Sequence, residues 1–74
     1  MTKLKIVPAK KIIKWLEEKG FKTIRQKGSH VFLQKEEFFT TVPIHNKDLP
    51  RGTILKILKD CDISKKTYKK ELGT

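Results

Sequence analysis

The sequence predicts an α+β fold whose elements follow the order α-β-β-β-α, with a short additional helix at the C-terminus. The chain has 74 residues, a length that fits one small domain over residues 1–74. Apolar residues recur at helical spacing near both ends, and the period changes to alternation between Phe21 and Pro43. Because the predicted strands are joined by short segments, we expect a three-stranded antiparallel sheet that two helices cover on one face.

The first helix is predicted from Pro8 onward, because proline suits the first helical turn, where its missing N–H costs nothing. The buried stripe at helical spacing consists of Ala9, Ile12, Ile13 and Leu16. Trp15 lies at the flank of this stripe, where it is expected to cap the edge of the core, with a partner surface as the less favoured alternative. Gly20 follows as the helix stop, since the left-handed residue after a helix favours glycine.

The middle of the chain predicts three strands separated by tight turns. The predicted bounds are Phe21–Gln26, His30–Lys35 and Phe38–Pro43. Residues 27–29 form the first turn, and Glu36 with Glu37 forms the second. Pro43 cannot donate to a strand ladder, so the third strand should end there or lie at an edge of the sheet.

The C-terminal part predicts two further helices after a polar loop over Ile44–Leu49. One helix is expected from Pro50 to Cys61, with its apolar positions facing inward: Ile54, Leu55, Ile57 and Leu58. Cys61 is interpreted as a small apolar residue at the end of this helix. Ser64 is predicted to cap the last helix, Lys65–Leu72.

The charge balance indicates an anionic partner. There are 18 Lys and Arg residues against 8 Asp and Glu residues, which gives a formal net charge of +10. Nucleic acid is the commonest partner of such a surface, and an acidic protein fits the charge equally well. A surface that serves only solubility is the less favoured alternative. A single cysteine excludes an internal disulfide and favours a reducing, cytoplasmic setting. No apolar run approaches the ~20 residues of a membrane span, so no membrane association is expected.

The candidate site centres on histidines that follow turns. Most enzyme motifs are absent, and neither a metal nor another cofactor is expected. His30 follows Gly28 and Ser29, and His45 follows the third strand. The residues expected to assist are Arg25, Lys27, Gly28, Ser29, His45, Lys47 and Arg51. Imidazole beside cations suits metal-free RNA cleavage, because the RNA 2′-hydroxyl is an internal nucleophile. His45 is auxiliary in this interpretation, or it caps its loop structurally.

Four short motifs together resemble the HicA toxins of bacterial toxin–antitoxin systems, also called the YcfA-like family. They are Gly20-Phe21, Arg25-Gln26-Lys27-Gly28-Ser29-His30, Val42-Pro43-Ile44-His45 and Lys47-Asp48-Leu49-Pro50-Arg51-Gly52-Thr53. The resemblance covers roughly Pro8 to Tyr68. It implies a double-stranded-RNA-binding-domain-like fold and an mRNA-cleaving enzyme whose catalytic residue is His30. It also implies a HicB-type antitoxin that covers this histidine, with DNA binding only through the antitoxin.

Three positions depart from the family pattern. Val31 stands where many relatives carry a second histidine, so His30 would act without an adjacent imidazole. Asn46 and Asp62 stand at places often held by glycine. Both residue types tolerate the left-handed backbone conformation better than most others, so the loop and the helix end remain feasible.

Two other functions are compatible with the same residues. The basic surface could hold double-stranded RNA without cleaving it, or bind an acidic protein. Strand alternation places Phe38 and Phe39 on opposite faces of the sheet, so one of them at most belongs to the core. The other, with Phe32, is a candidate for stacking on RNA bases or for contacting the antitoxin. The sequence does not indicate which face is open.

Overall fold

The computed structural model describes residues 6–44 and 48–72, and it confirms the α+β order and the antiparallel sheet. The elements are α1 (Ala9–Glu18), β1 (Lys22–Lys27), β2 (His30–Lys35), β3 (Phe38–Pro43), α2 (Arg51–Asp60) and α3 (Lys65–Glu71). The strands are in the order β1-β2-β3, and both pairs are antiparallel. Within the described residues, no helix has the length and apolar character needed to cross a bilayer.

The first strand begins one residue later than predicted, and its bounds were therefore wrong. Phe21 belongs to the end of α1, because its N–H donates to the carbonyl of Leu16 while Gly20 takes a φ of +104°. This pattern is the Schellman motif of a helix C-terminus. Lys27, predicted in the turn, is instead the last residue of β1 and pairs with His30. The bounds of β2 and β3 agree with the prediction.

The end of α2 repeats the Schellman motif with a different residue. The N–H of Ile63 donates to the carbonyl of Leu58, and Asp62 takes a φ of +56°. An aspartate therefore occupies the left-handed position that Gly20 occupies after α1. α2 itself is shorter than the predicted Pro50–Cys61, since those two residues are its caps. Cys61 is buried at the helix end, as predicted.

The core lies between the helices and one face of the sheet. The sheet contributes Val31, Leu33, Thr40 and Val42, all of them buried, and the helices contribute Ile12, Leu16, Ile54, Ile57 and Leu58. Ile13 and Leu55, which were predicted to be buried, are half-buried and pack against the edge of this core. β1 is exposed along its whole length, so the helices cover mainly β2 and β3.

The last helix packs on Trp15, so this side chain belongs to the core. Its predicted place at the edge of the core was wrong. Trp15 is only 4% exposed. Its ring meets Tyr68 edge-on, with 5.7 Å between the ring centroids. Its indole N–H donates to Glu71 Oε1 at 2.7 Å. Ser64 caps α3 as predicted, with its hydroxyl accepting from the Thr67 N–H.

The loop before α2 is held at the start of α1. Asp48 forms a β-bridge with Pro8, and the N–H of Leu49 donates to the carbonyl of Val7. The predicted extended segment 1–7 is described only from residue 6 onward. Residues 45–47 of the predicted polar loop also lie outside the described residues. The N-termini of the two long helices are therefore fixed next to each other by backbone contacts.

Candidate active site

The sheet has one face without helices, which we call the open face. Val31 and Leu33 point into the core, so the alternate residues of β2 point the other way. Residues directly opposite each other on neighbouring strands share a face. The open face therefore carries Lys22, Arg25, Lys27, His30, Phe32, Gln34, Phe39, Thr41 and Pro43.

A two-residue turn positions the start of β2 on this face. Gly28 has a φ of +60°, and Ser29 follows it. A glycine with positive φ at the first central position is typical of the type II′ hairpin turn. A Cβ at Gly28 would meet no atom within 4 Å, so the backbone conformation, and not space, favours glycine here. Gln26 Nε2 donates to the carbonyl of Gly28 at 3.3 Å and supports the turn.

His30 is exposed at the end of this hairpin, directly beside a cation. Its cross-strand partners are Lys27 on β1 and Pro43 on β3. Arg25 lies two residues before Lys27 on the same face. The structure thus brings together Arg25, Lys27, Gly28, Ser29 and His30, five of the predicted site residues. His30 is exposed, which a catalytic role toward a large substrate requires.

The strands that form the open face carry basic residues and no acidic ones. The three strands, all within the described part of the chain, contain no Asp or Glu. Their cationic residues are Lys22, Arg25, Lys27 and Lys35. Lys35 points to the other face, as Leu33 does, and its Nζ donates to the carbonyl of Lys19 at the end of α1. The remaining cations all lie on β1: Lys27 is opposite His30, Arg25 is opposite Phe32, and Lys22 lies at the far end of the strand.

The second half of the predicted site is only partly located. His45 and Lys47 lie outside the described residues. The N–H of Ile44 donates to the carbonyl of Ser29 at 2.6 Å, so the chain leading to His45 leaves from beside the turn. Arg51 is exposed as the first residue of α2. Among residues 6–44 and 48–72, no hydrogen bond or ion pair joins Arg51 to the turn, so its role stays a prediction.

An aromatic pair completes the open face. Phe32 and Phe39 stack with 5.9 Å between ring centroids and an interplanar angle of 23°. Phe38 packs against the core from the other face, as strand alternation requires. The sequence showed that Phe38 and Phe39 differ in face but not that Phe32 and Phe39 meet. Phe32 and Phe39 are diagonal neighbours across β2 and β3, and this relation can be derived only when the register of the two strands is known.

The buried cysteine is separate from this site and unsuited to nucleophilic chemistry. Burial, with a smaller effect from the Asp60 carboxylate, raises the pKa of the Cys61 thiol to about 11. The thiolate is the reactive form, and it is therefore scarce near neutral pH. His30 and its cationic neighbours therefore stay the candidate site.

Comparison with protein families supplies the decisive observation. The family model described as the HicA toxin of bacterial toxin–antitoxin systems matches residues 9–63, which span α1 to the end of α2. The chain belongs to the HicA toxin family. Comparison with curated proteins gives no significant match, and comparison with solved structures gives none either.

Membership of the family assigns this HicA chain to a toxin–antitoxin system, in which its cognate partner is an antitoxin. The matched range contains the Gly28–Ser29 turn and the open face, so the family signal and the candidate site lie on the same residues. α3 lies beyond the match and is tied to α1 through Trp15 and Glu71.

Proposed function

We propose that this HicA toxin is a metal-independent endoribonuclease that cleaves mRNA, with His30 as its catalytic residue. The observation that supports this most is the exposed imidazole of His30 opposite Lys27, on a sheet face with no carboxylate. Arg25 and Lys27 attract the phosphate backbone and stabilise negative charge that develops on the phosphoryl oxygens. The turn at Gly28 and Ser29 allows close approach of the RNA backbone.

The proposed reaction uses the RNA's own 2′-hydroxyl. This hydroxyl loses its proton, its oxygen attacks the adjacent phosphorus, and the bond from phosphorus to the 5′-oxygen breaks as that oxygen gains a proton. His30 performs one of the two proton transfers, because imidazole exchanges protons near neutral pH. The neighbouring cations stabilise the additional negative charge, and His45 is the proposed auxiliary group. Arg51 and Lys47 are proposed to contact phosphates.

Replacement of His30 tests the proposal directly. His30→Ala is expected to reduce cleavage of a single-stranded oligoribonucleotide by at least about 100-fold, the usual contribution of a general acid or base. Thermal unfolding should be nearly unchanged, because His30 is exposed. Ile24→Ala is the control, since Ile24 is also exposed on the sheet, at the β1 bulge away from His30. Equal cleavage by His30→Ala and the parent would reject His30 as catalyst.

The substrate provides a second control. An oligonucleotide with a 2′-deoxyribose at the cleaved position lacks the nucleophile and should stay intact, while its other positions remain cleavable. If the parent chain binds RNA but cleaves none, the open face is instead a non-catalytic RNA-binding surface, which is the alternative function. This outcome would separate binding from chemistry without any change to the protein.

The partner proposed for this toxin is a HicB-type antitoxin that covers His30. The net charge of +10 favours an acidic antitoxin surface. Adding the cognate antitoxin is expected to stop RNA cleavage. We propose that DNA binding resides in the antitoxin. We also propose that the toxin is located in the cytoplasm, because mRNA is available there.

We also propose that residues 1–74 act as one toxin domain. The helix beyond the family match is packed on the same core: Tyr68 is buried, and Lys19 Nζ lies 2.6 Å from Glu71 Oε1. These contacts join α3 to α1 across almost the whole length of the chain.

A further inference from the structure

The Phe32–Phe39 pair is not used by the chemistry proposed above, yet it occupies the middle of the open face. Phe39 is 46% exposed and Phe32 is half-buried beneath the same surface. We infer that this pair is a stacking platform for a base of single-stranded RNA next to the cleaved phosphate. The inference rests on the proposed function and adds the part of the site that selects unpaired RNA.

The geometry of the pair fits a third ring. The two phenyl rings stack nearly parallel, inclined by only 23°, so a base could extend the stack from the exposed ring of Phe39. Aromatic side chains on an exposed sheet are a recurrent support for unstacked bases, because every base has a π-face. The exposed part of Phe39 is available to such a base without any movement of the strands.

The platform lies at a useful distance from His30. Phe32 is two residues further along β2 and points to the same face, which places its Cα about 7 Å from that of His30. This spacing is close enough for one nucleotide to stack while its own or the next phosphate lies beside the imidazole. The platform would then position the substrate by binding the base, and His30 would act on the backbone.

Charge favours RNA over a protein as the occupant. Arg25 is the cross-strand partner of Phe32, so a cationic residue lies next to the aromatic pair in the sheet. The three strands contain no carboxylate that would repel a phosphate. Cations interleaved with stacking rings are the usual composition of single-strand binding surfaces. Paired bases are hidden within a duplex, so the platform would favour unpaired RNA.

The test uses binding alone, so that it does not depend on cleavage. The full chain is titrated with a single-stranded 2′-O-methyl oligoribonucleotide that contains 2-aminopurine and lacks a free 2′-hydroxyl. Stacking on the platform is expected to quench the 2-aminopurine fluorescence. Phe39→Ala should raise the dissociation constant about tenfold and reduce the quenching. Phe39→Trp should retain both properties, since it keeps a flat aromatic ring.

Two further variants separate stacking from other effects. Phe39→Leu keeps an apolar side chain without a π-face and should behave like Phe39→Ala. Ile24→Ala removes another apolar residue of the sheet, 52% exposed at the β1 bulge, and should bind like the parent. Unfolding measurements on each variant will show whether the fold is retained, and partial exposure of Phe39 keeps the cost of its replacement small.

The outcomes distinguish this inference from the proposed function. Unchanged binding and quenching in Phe39→Ala would overturn the platform even if the parent cleaves RNA. Loss of antitoxin binding by Phe39→Ala, with RNA binding intact, would also overturn it and identify a protein interface instead. Conversely, the parent chain could quench 2-aminopurine fluorescence, and lose this quenching in Phe39→Ala, while cleaving no RNA. This result would support the platform and reject the proposed endoribonuclease activity.

Discussion

The two faces of the sheet use strands β2 and β3 for different purposes. On the covered face, Val31, Leu33 and Val42 are buried against the helices. On the open face, His30 and Phe39 alternate with them and are exposed. Because neighbouring residues of a strand point in opposite directions, β2 and β3 each contribute both to the core and to the open face, whereas β1 is exposed along its whole length. Substitutions one residue apart are therefore expected to have very different effects.

The largest expected difference lies between Leu33 and its neighbour Gln34. Leu33 is fully buried, so Leu33→Ala should lower the free energy of unfolding by about 2–5 kcal/mol. Gln34 is exposed on the open face and its amide donates to the carbonyl of Glu36, so Gln34→Ala should lower it by about 1 kcal/mol or less. Urea denaturation of the two variants checks the comparison. Similar losses of stability in both variants would show that the open face is buried against another part of the protein.

The adjacent residues Thr40 and Thr41 test the same comparison with a smaller expected change in stability. Thr40 is buried, and its hydroxyl donates to Asp60 Oδ2 at 3.2 Å, whereas Thr41 points to the open face. Thr40→Val should cost about 1 kcal/mol for the lost hydrogen bond, since Asp60 keeps Lys56 as a partner. Thr41→Val should be nearly neutral. Denaturation midpoints will decide, and equal midpoints for the two variants would contradict the assignment of faces.

The smallest expected effect is at the outer edge of the covering helices. Hydrogen bonds from Lys19 and then from Trp15 hold the pKa of Glu71 below its ordinary value. Its contribution to stability is therefore complete above the ordinary carboxyl pKa and is lost as the pH falls through the lowered folded value. Glu71→Gln should lower the melting temperature slightly at pH 7 and leave it unchanged at strongly acidic pH.

Thermal unfolding of the parent and Glu71→Gln between pH 7 and pH 2 provides the measurement. The two curves should converge at low pH, because the carboxyl group of the parent is then protonated and uncharged. A difference that persists or grows as the pH falls would mean that the Glu71 charge does not support the packing of α3.

Most of the fold could be predicted because the local signals agree with the tertiary structure. Turn residues and alternation define β2 and β3, and Gly20 ends α1. The place of Trp15 could not be predicted from α1, because Tyr68 and Glu71 that cover it are more than fifty positions away in the chain. The start of β1 was missed because Phe21 completes the helix end before the strand begins.

The candidate site was predictable as a set of residue types but not as a surface. The Gly28–Ser29 turn and its following histidine are local, so His30 and Lys27 were found together. The union of Phe32 with Phe39 depends on the register of β2 with β3 and on which face the helices cover. Neither property is contained in the pattern of a single strand.

The edge position of β1 has a consequence for the toxin at high concentration. Edge strands leave backbone groups unpaired, and these can join another copy of the same strand to begin aggregation. In β1 the bulge between Thr23 and Arg25 interrupts the regular ladder, and Lys22 and Lys27 place like charges at both ends of the edge. Two copies brought edge to edge would repel each other and fit poorly. The positive charge along β1 is thus expected to disfavour pairing of two copies through this strand.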